Sequence, residues 1–329
     1  RAMAEFSLID RLRQRASATA IARSDVVLGI GDDAALMEPP KGQQLALAVD
    51  TLVEGVHFPK GVPASAIGWK ALAVNLSDLA AMGAEPAAAL LALTLPSDDP
   101  GFVDEFAAGF GALADTHRVA LVGGDTTRGP LAASVTVMGY VPKGAALTRS
   151  SARPGDDVWV TGTLGDAAGA LALWRAGTPM MRTGSLRERL DRPSPRLGAG
   201  RALRGLATAC IDVSDGFLAD LGHVLAMSGV GADIEIDALP ASAALVEAFP
   251  DRATRRTLQL TGGDDYELSF TAPAGQRDAV QAALDAAATP VARVGRIADG
   301  ATLRLFDADG LPVALPPRRG WVHFADAAP

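Results

Sequence analysis

Short apolar runs alternate with polar stretches along this chain, and their spacing predicts strands and helices in succession. In the first half, apolar residues at intervals of three and four predict helices, and apolar runs bracketed by Pro or Gly predict strands. The predicted helices cover residues 5–15, 64–82 and 99–116, and the predicted strands cover residues 45–53, 87–95, 120–122 and 134–141.

A polar stretch at residues 149–157, with Arg153-Pro154-Gly155 inside it, predicts a domain junction. We interpret residues 180–190 as a mobile insertion. Further strands are predicted at 158–161, 209–213, 233–236, 267–271 and 291–297, helices at 165–174, 195–206 and 217–227, and a hairpin turn at 307–311. This alternation predicts an α/β (α+β) protein with two domains, residues 1–148 and residues 149–329.

Composition narrows the function classes open to the chain. Its 30 Lys and Arg stand against 38 Asp and Glu among 329 residues, and this net charge of −8 argues against a nucleic-acid binder or a protein held on a membrane surface. The longest uncharged stretch, residues 129–142, is fourteen residues long and too short to span a bilayer. Charged residues near the N-terminus argue against a signal peptide. The single cysteine, Cys210, excludes an intrachain disulfide and fits a cytoplasmic location.

Aspartates follow several of the apolar runs, next to Gly, Ser or Thr, where tight turns let the backbone approach a ligand closely. The six segments are residues 29–33, 49–51, 75–78, 123–127, 211–216 and 262–265. Carboxylate and carbonyl oxygens without cysteine are the ligands that Mg²⁺ prefers. Any one Asp taken alone is equally compatible with a turn or a helix cap. Six such segments in one chain favour a metal site.

A phosphate-binding role also needs hydrogen-bond donors. The chain has no Gly-x-x-x-x-Gly-Lys-Ser/Thr loop and no protein-kinase signature. Any nucleotide would therefore be held through metal ions, backbone N–H groups and arginine. Arg149 is the candidate, because a guanidinium can bind two phosphate oxygens at once; the alternative for this residue is an interdomain salt bridge.

Longer motifs contain these aspartates and extend beyond them. They cover residues 5–9, 29–34, 50–58, 70–83, 123–130, 147–150, 192–196, 211–216 and 262–268. Together they resemble the motifs of the thiamine-monophosphate kinase family over nearly the whole chain, although one of them alone, such as Gly-Gly-Asp, would be weak. The resemblance implies that the γ-phosphate of ATP is transferred to thiamine monophosphate, giving thiamine diphosphate and ADP in the last step of thiamine diphosphate biosynthesis.

The resemblance also implies an architecture. The family belongs to a superfamily with aminoimidazole ribonucleotide synthetase, selenophosphate synthetase and a hydrogenase maturation protein. Its fold is a ferredoxin-like N-terminal domain, which pairs across a homodimer to form a β-barrel, followed by a second α/β domain. ATP and several Mg²⁺ ions are expected in a cleft between the two domains.

Site residues follow from the resemblance, position by position. The implied metal ligands are the carboxylates of Asp33, Asp50, Asp78, Asp125, Asp212 and Asp215, with the main-chain oxygens of Ala48 and Val49. The implied nucleotide contacts are Gly124, Asp125, Arg149 and Ser214, and the implied substrate contacts are His57, Asp264 and Trp321. Asp264 stands where the family often has Glu, so a direct contact there could become water-mediated.

The implied reaction needs no catalytic residue of its own. The acceptor is a phosphate monoester whose second pKa is near 6, so it arrives as an anion and requires no general base. Two substrate contacts keep an alternative: His57 could cap a strand end, and Trp321 could belong to ordinary C-terminal packing. Two other functions also stay open, a selenophosphate synthetase-like or amide-activating member of the superfamily and a non-catalytic thiamine phosphate-binding protein.

Overall fold

The structure is a computed structural model that describes residues 23–178 and 184–323. These residues form two compact units. The first consists of the described residues up to Leu79 together with Ala84–Ala146, and the second of Ala80–Gly83 together with the described residues from Leu147 onward. The predicted helix at 5–15 and the beginning of the predicted insertion at 180–190 lie outside the described residues. The roles predicted for residues 1–148 and 149–329 stay a prediction.

A four-stranded sheet forms the first unit, with the strand order β3-β6-β4-β5. The strands are β3 (Gln43–Val53), β4 (Glu85–Leu95), β5 (Ala120–Arg128) and β6 (Ala132–Pro142), preceded by the short pair β1 (Val26–Leu28) and β2 (Leu36–Met37), and the helices are α1 (Ala64–Ala81) and α2 (Pro100–His117). Strands β4 and β5 run parallel, and β6 is antiparallel to both β3 and β4.

The predicted ferredoxin-like topology is wrong for this unit. A ferredoxin-like domain has the element order β-α-β-β-α-β, whereas here the order is β-α-β-α-β-β. Helix α2 carries the chain from β4 to a parallel neighbour, and a tight connection then joins β5 to β6. Helices α1 and α2 and strands β3, β4 and β6 were predicted within two residues, but the sheet order depends on long-range pairing that the local patterns do not encode.

Side chains alternate between a buried face and an open face from Ala89 to Leu95 in β4 and from Ala132 to Met138 in β6, as the period of a strand requires. Helices α1 and α2 pack against each other through glycines: a Cβ on Gly109 would lie 1.8 Å from the carbonyl oxygen of Ser65, and one on Gly68 would lie 2.1 Å from that of Phe106. Asp99 begins α2 by accepting a hydrogen bond from the Phe102 amide at 3.1 Å.

The second unit contains a seven-stranded sheet with the order β13-β12-β9-β11-β7-β10-β8. Its strands are β7 (Asp156–Thr161), β8 (Ala209–Asp212), β9 (Gly231–Glu235), β10 (Leu268–Pro273), β11 (Val291–Ala298), β12 (Leu303–Phe306) and β13 (Pro312–Val313). Its helices are α3 (Asp166–Arg175), α4 (Gly184–Asp191), α5 (Leu197–Ala202), α6 (Phe217–Ser228), α7 (Ala243–Ala248), α8 (Arg252–Thr261) and α9 (Arg277–Ala286). Together with the first unit, this confirms the predicted mixed α/β fold.

Three predictions for the second unit need correction. From Gly184 the segment interpreted as a mobile insertion is helix α4, whose Leu186 and Leu190 are buried. The predicted helix at 195–206 is reduced to α5. Arg196, before the helix, binds Glu267, and residues 203–206, after it, form turns. Helices α7 to α9 and strands β12 and β13 were not predicted, although α8 and α9 are amphipathic with a clear helical periodicity. The predicted turn at 307–311 is confirmed between β12 and β13.

Cys210 lies in β8 and is buried, as free cysteines commonly are. Burial, followed by the nearby charge of Asp212, raises the pKa of its thiol. Among the described residues, no helix has both the length and the apolar character needed to cross a membrane.

Candidate functional site

In the first unit, the Gly-Gly-Asp motif lies inside β5. The strand continues through the motif to Arg128, so the predicted end at residue 122 is wrong. Gly124 has a φ of +153°, and a Cβ there would lie 1.9 Å from the carbonyl oxygen of Leu91 on β4. Glycine is therefore required for β5 to pair with β4 at this position. Asp125 follows in register with Ala92, and both side chains are exposed on the open face of the sheet.

A cavity of about 930 Å³ lies on this open face. Its polar wall includes Asp33, Gly124 and Asp125, so the structure brings together three of the predicted site residues of the first unit. Its apolar wall consists of Leu45, Leu90, Met138 and neighbouring residues. A pocket with a mostly apolar lining and a few acidic groups is typical of a site for a small organic ligand.

Asp50 is positioned from the other side of the sheet by α1. Its backbone N–H donates to the side-chain oxygen of Asn75 at 2.8 Å, and the Asn75 amide group donates to the Ala71 carbonyl at 2.9 Å. Asp78 lies three residues after Asn75 on α1, a spacing that places both on the same helix face. Asn75 was not predicted as a site residue, although it lies within a motif that was quoted.

The same hydrogen bond orients the backbone around Asp50. Because the Asp50 amide points to α1 and not to β6, its neighbours two residues away along the edge strand share that direction. The carbonyl of Ala48 therefore points to the open edge of β3, whereas the carbonyl of Val49, one residue further along, points towards β6. Of the two predicted main-chain oxygens, Ala48 is the more available.

His57 caps the end of β3. The backbone N–H of Val53 donates to its Nδ1 at 3.0 Å. This ring nitrogen is an acceptor and carries no proton, so the bond fixes both the ring orientation and the tautomer. The alternative considered for His57, a cap on a strand end, is present in the structure. A substrate contact through the other ring nitrogen stays a prediction.

In the second unit, the aspartates 212 and 215 lie where β8 turns into α6. Three consecutive backbone N–H groups, from Ser214, Asp215 and Gly216, donate to one oxygen of Asp220 at 3.0, 3.1 and 3.1 Å. Asp220 is buried, and its burial, with the charges of Asp212 and Asp215, raises the pKa of its carboxyl to about 7. Sequence reasoning missed Asp220. An Asp four residues after Gly216, in the first turn of α6, is the sequence feature from which its role could have been predicted.

Two further segments, which contain Asp264 and Trp321, are hydrogen-bonded to this turn through their backbones. The Asp264 amide donates to the carbonyl of Ser214 at 2.8 Å, and the Trp321 amide donates to the carbonyl of Asp215 at 2.9 Å. A Cβ on Gly263 would lie 2.5 Å from the Ser214 oxygen, so glycine permits the first approach. Predicted substrate residues that are far apart in sequence thus lie beside the predicted metal and nucleotide residues. The Trp321 side chain is 49% exposed.

Asp264 has an unusual backbone conformation. Its φ is +68°, a left-handed conformation that Asp tolerates better than most residues. Tyr266 follows with a φ of +50°, and its hydroxyl donates to the Asp264 carboxylate at 2.9 Å. Residues other than glycine that adopt a left-handed backbone conformation concentrate at functional sites. The tyrosine therefore orients the carboxylate that was predicted to contact the substrate.

Arg149 lies beside the same strand. The carbonyl of the preceding Thr148 accepts from the Cys210 amide at 2.9 Å, and the carbonyl of Arg149 accepts from the Ser228 hydroxyl at 3.0 Å. These bonds attach Thr148 to β8, two residues before Asp212, and Arg149 to the end of α6, and Arg149 is exposed. Its role as a nucleotide contact stays a prediction.

A buried ion cluster supports the segment that follows Asp264. Glu267 is fully buried and accepts from Arg196 at 2.6 Å through both oxygens, from Arg189 at 2.5 Å and from the Thr161 hydroxyl at 2.7 Å. Burial acts to lower the pKa of Arg196, but the hydrogen bonds and the charge of Glu267 outweigh it, so the pKa of the guanidinium is raised. Arg196 belongs to the motif at residues 192–196, which had no predicted role. The cluster explains why this motif and the Glu267 segment occur together.

The donor chemistry fits Mg²⁺, because the gathered groups are carboxylates, a serine hydroxyl and a backbone carbonyl. Within the described ranges 23–178 and 184–323, however, no three His, Cys, Asp or Glu side chains are grouped closely enough to hold a metal ion. Asp33 and Asp125 line the cavity of the first unit, Asp50 and Asp78 lie on β3 and α1, and Asp212 and Asp215 lie at the end of β8 and in the turn that follows it. Their role as metal ligands stays a prediction.

Comparison with protein families defines the class. Residues 31–141 match the model described as "AIR synthase related protein, N-terminal domain", and residues 153–308 match "AIR synthase related protein, C-terminal domain". The protein therefore has the two-domain composition of the AIR synthase-related proteins.

Individual relatives give a narrower result. The thiamine-monophosphate kinase of Escherichia coli strain K12 is 45% identical over 328 residues, covering 98% of this chain and 99% of the relative. The crystal structure of thiamine-monophosphate kinase from Stenotrophomonas maltophilia K279a is 53% identical with a TM-score of 0.86, over 94% of this chain and 98% of that one. A structure of AaThiL complexed with AMPPCP and TMP is 31% identical with a TM-score of 0.76, over 97% of both chains.

The chain belongs to the thiamine-monophosphate kinase family, and the resemblance derived from its motifs is confirmed. It is accordingly a kinase, as predicted.

Proposed function

We propose that this protein transfers the γ-phosphate of ATP directly to the phosphate of thiamine monophosphate in the presence of several Mg²⁺ ions, and so completes thiamine diphosphate synthesis. The observation that carries the proposal is the convergence of Ser214, Asp215, Asp264 and Trp321 at the end of β8. Residues assigned to nucleotide, metal and substrate meet there through backbone hydrogen bonds. The AaThiL complex with AMPPCP and TMP supports this choice of ligands.

Charge repulsion is the main obstacle to such a reaction. At ~4 Å each pair of like unit charges costs about 4 kcal/mol at an effective dielectric constant of 20. Bound Mg²⁺ supplies the positive charge that offsets this repulsion and stabilises charge on the transferred phosphoryl group. We assign the binding of these ions to Asp33, Asp50, Asp78, Asp125, Asp212 and Asp215, with the carbonyl oxygens of Ala48 and Val49.

The remaining residues bind and orient the two substrates. Gly124 leaves room for close approach along β5, Arg149 binds phosphate oxygens, and Ser214 offers its hydroxyl. Trp321 presents an exposed indole face to the cationic thiazolium ring. His57 and Asp264 complete the contacts to thiamine monophosphate. No protein base is assigned, because the acceptor phosphate is already ionised at neutral pH.

We further propose that the protein is a homodimer whose first units form a shared β-barrel. Edge strand β3 supports this, because Leu45, Leu47 and Val49 point to its open face and are 47%, 62% and 62% exposed. Apolar residues that follow one another along an open sheet edge normally pair with another chain or are covered. A cytoplasmic location belongs to the same proposal and rests on the single cysteine.

A coupled assay tests the reaction. Purified protein with ATP, Mg²⁺ and thiamine monophosphate should release ADP and form an equal amount of thiamine diphosphate, and chelation of Mg²⁺ should abolish both products. Binding of thiamine monophosphate without ADP release would favour the non-catalytic alternative. Turnover with selenide or a formylglycinamidine-type substrate, but not with thiamine monophosphate, would favour another reaction of the superfamily.

A further inference from the structure

The turn between β8 and α6 uses its backbone polar groups within the protein. The N–H groups of Ser214, Asp215 and Gly216 all donate to Asp220. The carbonyl oxygens of Ser214 and Asp215 accept from the amides of Asp264 and Trp321. The amides that a phosphate would occupy at a helix N-terminus are therefore already taken by a carboxylate of the same helix.

The side chains of Ser214 and Asp215 in this turn, unlike its backbone groups, are not used by other described residues of the protein. Within the part of the chain that the structure describes, the Ser214 hydroxyl and the Asp215 carboxylate make no hydrogen bond. Asp215 is thus held by its backbone on both sides while its carboxylate stays available to a ligand. A carboxylate fixed in this way loses little freedom when it binds a cation, which increases the affinity.

We propose that Asp220 is a positioning residue for the cation and nucleotide ligands Asp215 and Ser214, acting through the geometry of its three amide hydrogen bonds. This inference rests on the proposed function. Asp220 itself is buried and turned into the protein, so it does not bind the ions. Partners of ligating carboxylates typically affect metal affinity by about 10- to 100-fold when they are removed.

The test compares two conservative variants. Asp220→Asn keeps an acceptor oxygen at the same distance but removes the charge, whereas Asp220→Glu keeps the charge and moves the oxygens by one methylene. Mn²⁺ is the probe, and its binding is measured by electron paramagnetic resonance on the full chain, without nucleotide. Asp278→Ala, an exposed acidic residue in the first turn of α9, is the matched control.

We expect Asp220→Asn and the control to bind Mn²⁺ within about threefold of the unchanged protein, and Asp220→Glu to bind at least about tenfold more weakly. The kinase assay should show the same order in the Mg²⁺ concentration for half-maximal rate. The reverse order would overturn the proposal in favour of a charge effect, and so would an Asp220→Asn chain that fails to fold.

The two proposals fail separately. Absence of thiamine diphosphate formation by the unchanged protein would remove the proposed function while the Mn²⁺ order could still hold. Normal kinase activity with equal Mn²⁺ binding by both variants would remove only the role of Asp220.

Discussion

The backbone N–H of Trp321 donates to the carbonyl of Asp215 at 2.9 Å, although the two residues are 106 positions apart in sequence. A residue from the end of the chain is thereby joined to the turn after β8. A Cβ on the preceding Gly320 would lie 2.6 Å from the same carbonyl oxygen, so only glycine permits this approach. The bond fixes the backbone position from which the indole extends, while about half of the Trp321 surface remains exposed to solvent.

Trp321→Ala should raise the KM for thiamine monophosphate about tenfold, the range that loss of a desolvated cation–π contact would cause. The KM for ATP should change little, because the backbone bond to Asp215 remains. Steady-state kinetics with each substrate varied in turn measure both values. Trp174→Ala, at an exposed position on α3, is the control. Equal effects on the two KM values would place Trp321 in the scaffold.

Asp50→Asn should lower kcat by about 100-fold and raise the Mg²⁺ requirement, because a neutral amide is a poor ligand for a hard cation. Folding should be almost unaffected, since the anchoring bond to Asn75 uses the backbone of residue 50. A Mg²⁺ titration of the rate, with thermal unfolding in parallel, separates the two effects. Asp309→Asn in the exposed turn after β12 provides the comparison, and an unaltered Mg²⁺ profile in Asp50→Asn would contradict the assignment.

Glu267→Gln should destabilise the second unit by about 3 kcal/mol, because two arginines would lose their buried counter-charge. Denaturant unfolding followed by tryptophan fluorescence measures the loss, since Trp159 lies in β7 of the same sheet. Asp233→Asn removes an exposed pair with Arg304 and should leave the unfolding midpoint unchanged. Similar midpoints for the two variants would mean that the buried cluster adds no stability.

Leu47→Asp should convert the proposed dimer to a monomer, because it introduces a charge on the open face of β3. Sedimentation equilibrium over a range of protein concentrations measures the change. Val246→Asp, an equally apolar exposed position on α7, should leave the assembly unchanged. A monomeric unchanged protein would refute the dimer directly, whatever the variants do.

Local patterns predicted most of the structure because each depends on a few neighbouring residues. Strand β3 and helix α1 were located within two residues, since apolar periodicity and flanking Gly or Pro fix them. The order of the four strands in the first unit was not predictable in this way, because β5 and β6 pair with strands distant in sequence.

The same distinction between local and long-range information applies to the candidate site. Aspartates next to glycine were visible as ligands, because their chemistry is a property of the residue. Asp220 and Asn75 were not, since their importance lies in which backbone amide each one contacts. The left-handed conformation of Asp264 likewise arises from its tertiary contacts with Ser214 and Tyr266. Sequence reasoning thus finds groups that touch a ligand more readily than groups that hold them in place.

The thiol of Cys210 can report on local opening of the second unit. It is the only thiol in the chain, and it is enclosed within β8, two residues from Asp212. Because its side chain is buried, alkylating reagents can reach the thiol only when β8 separates from its neighbours. The rate of that modification therefore measures the opening of the second unit around the candidate site, without any engineered label.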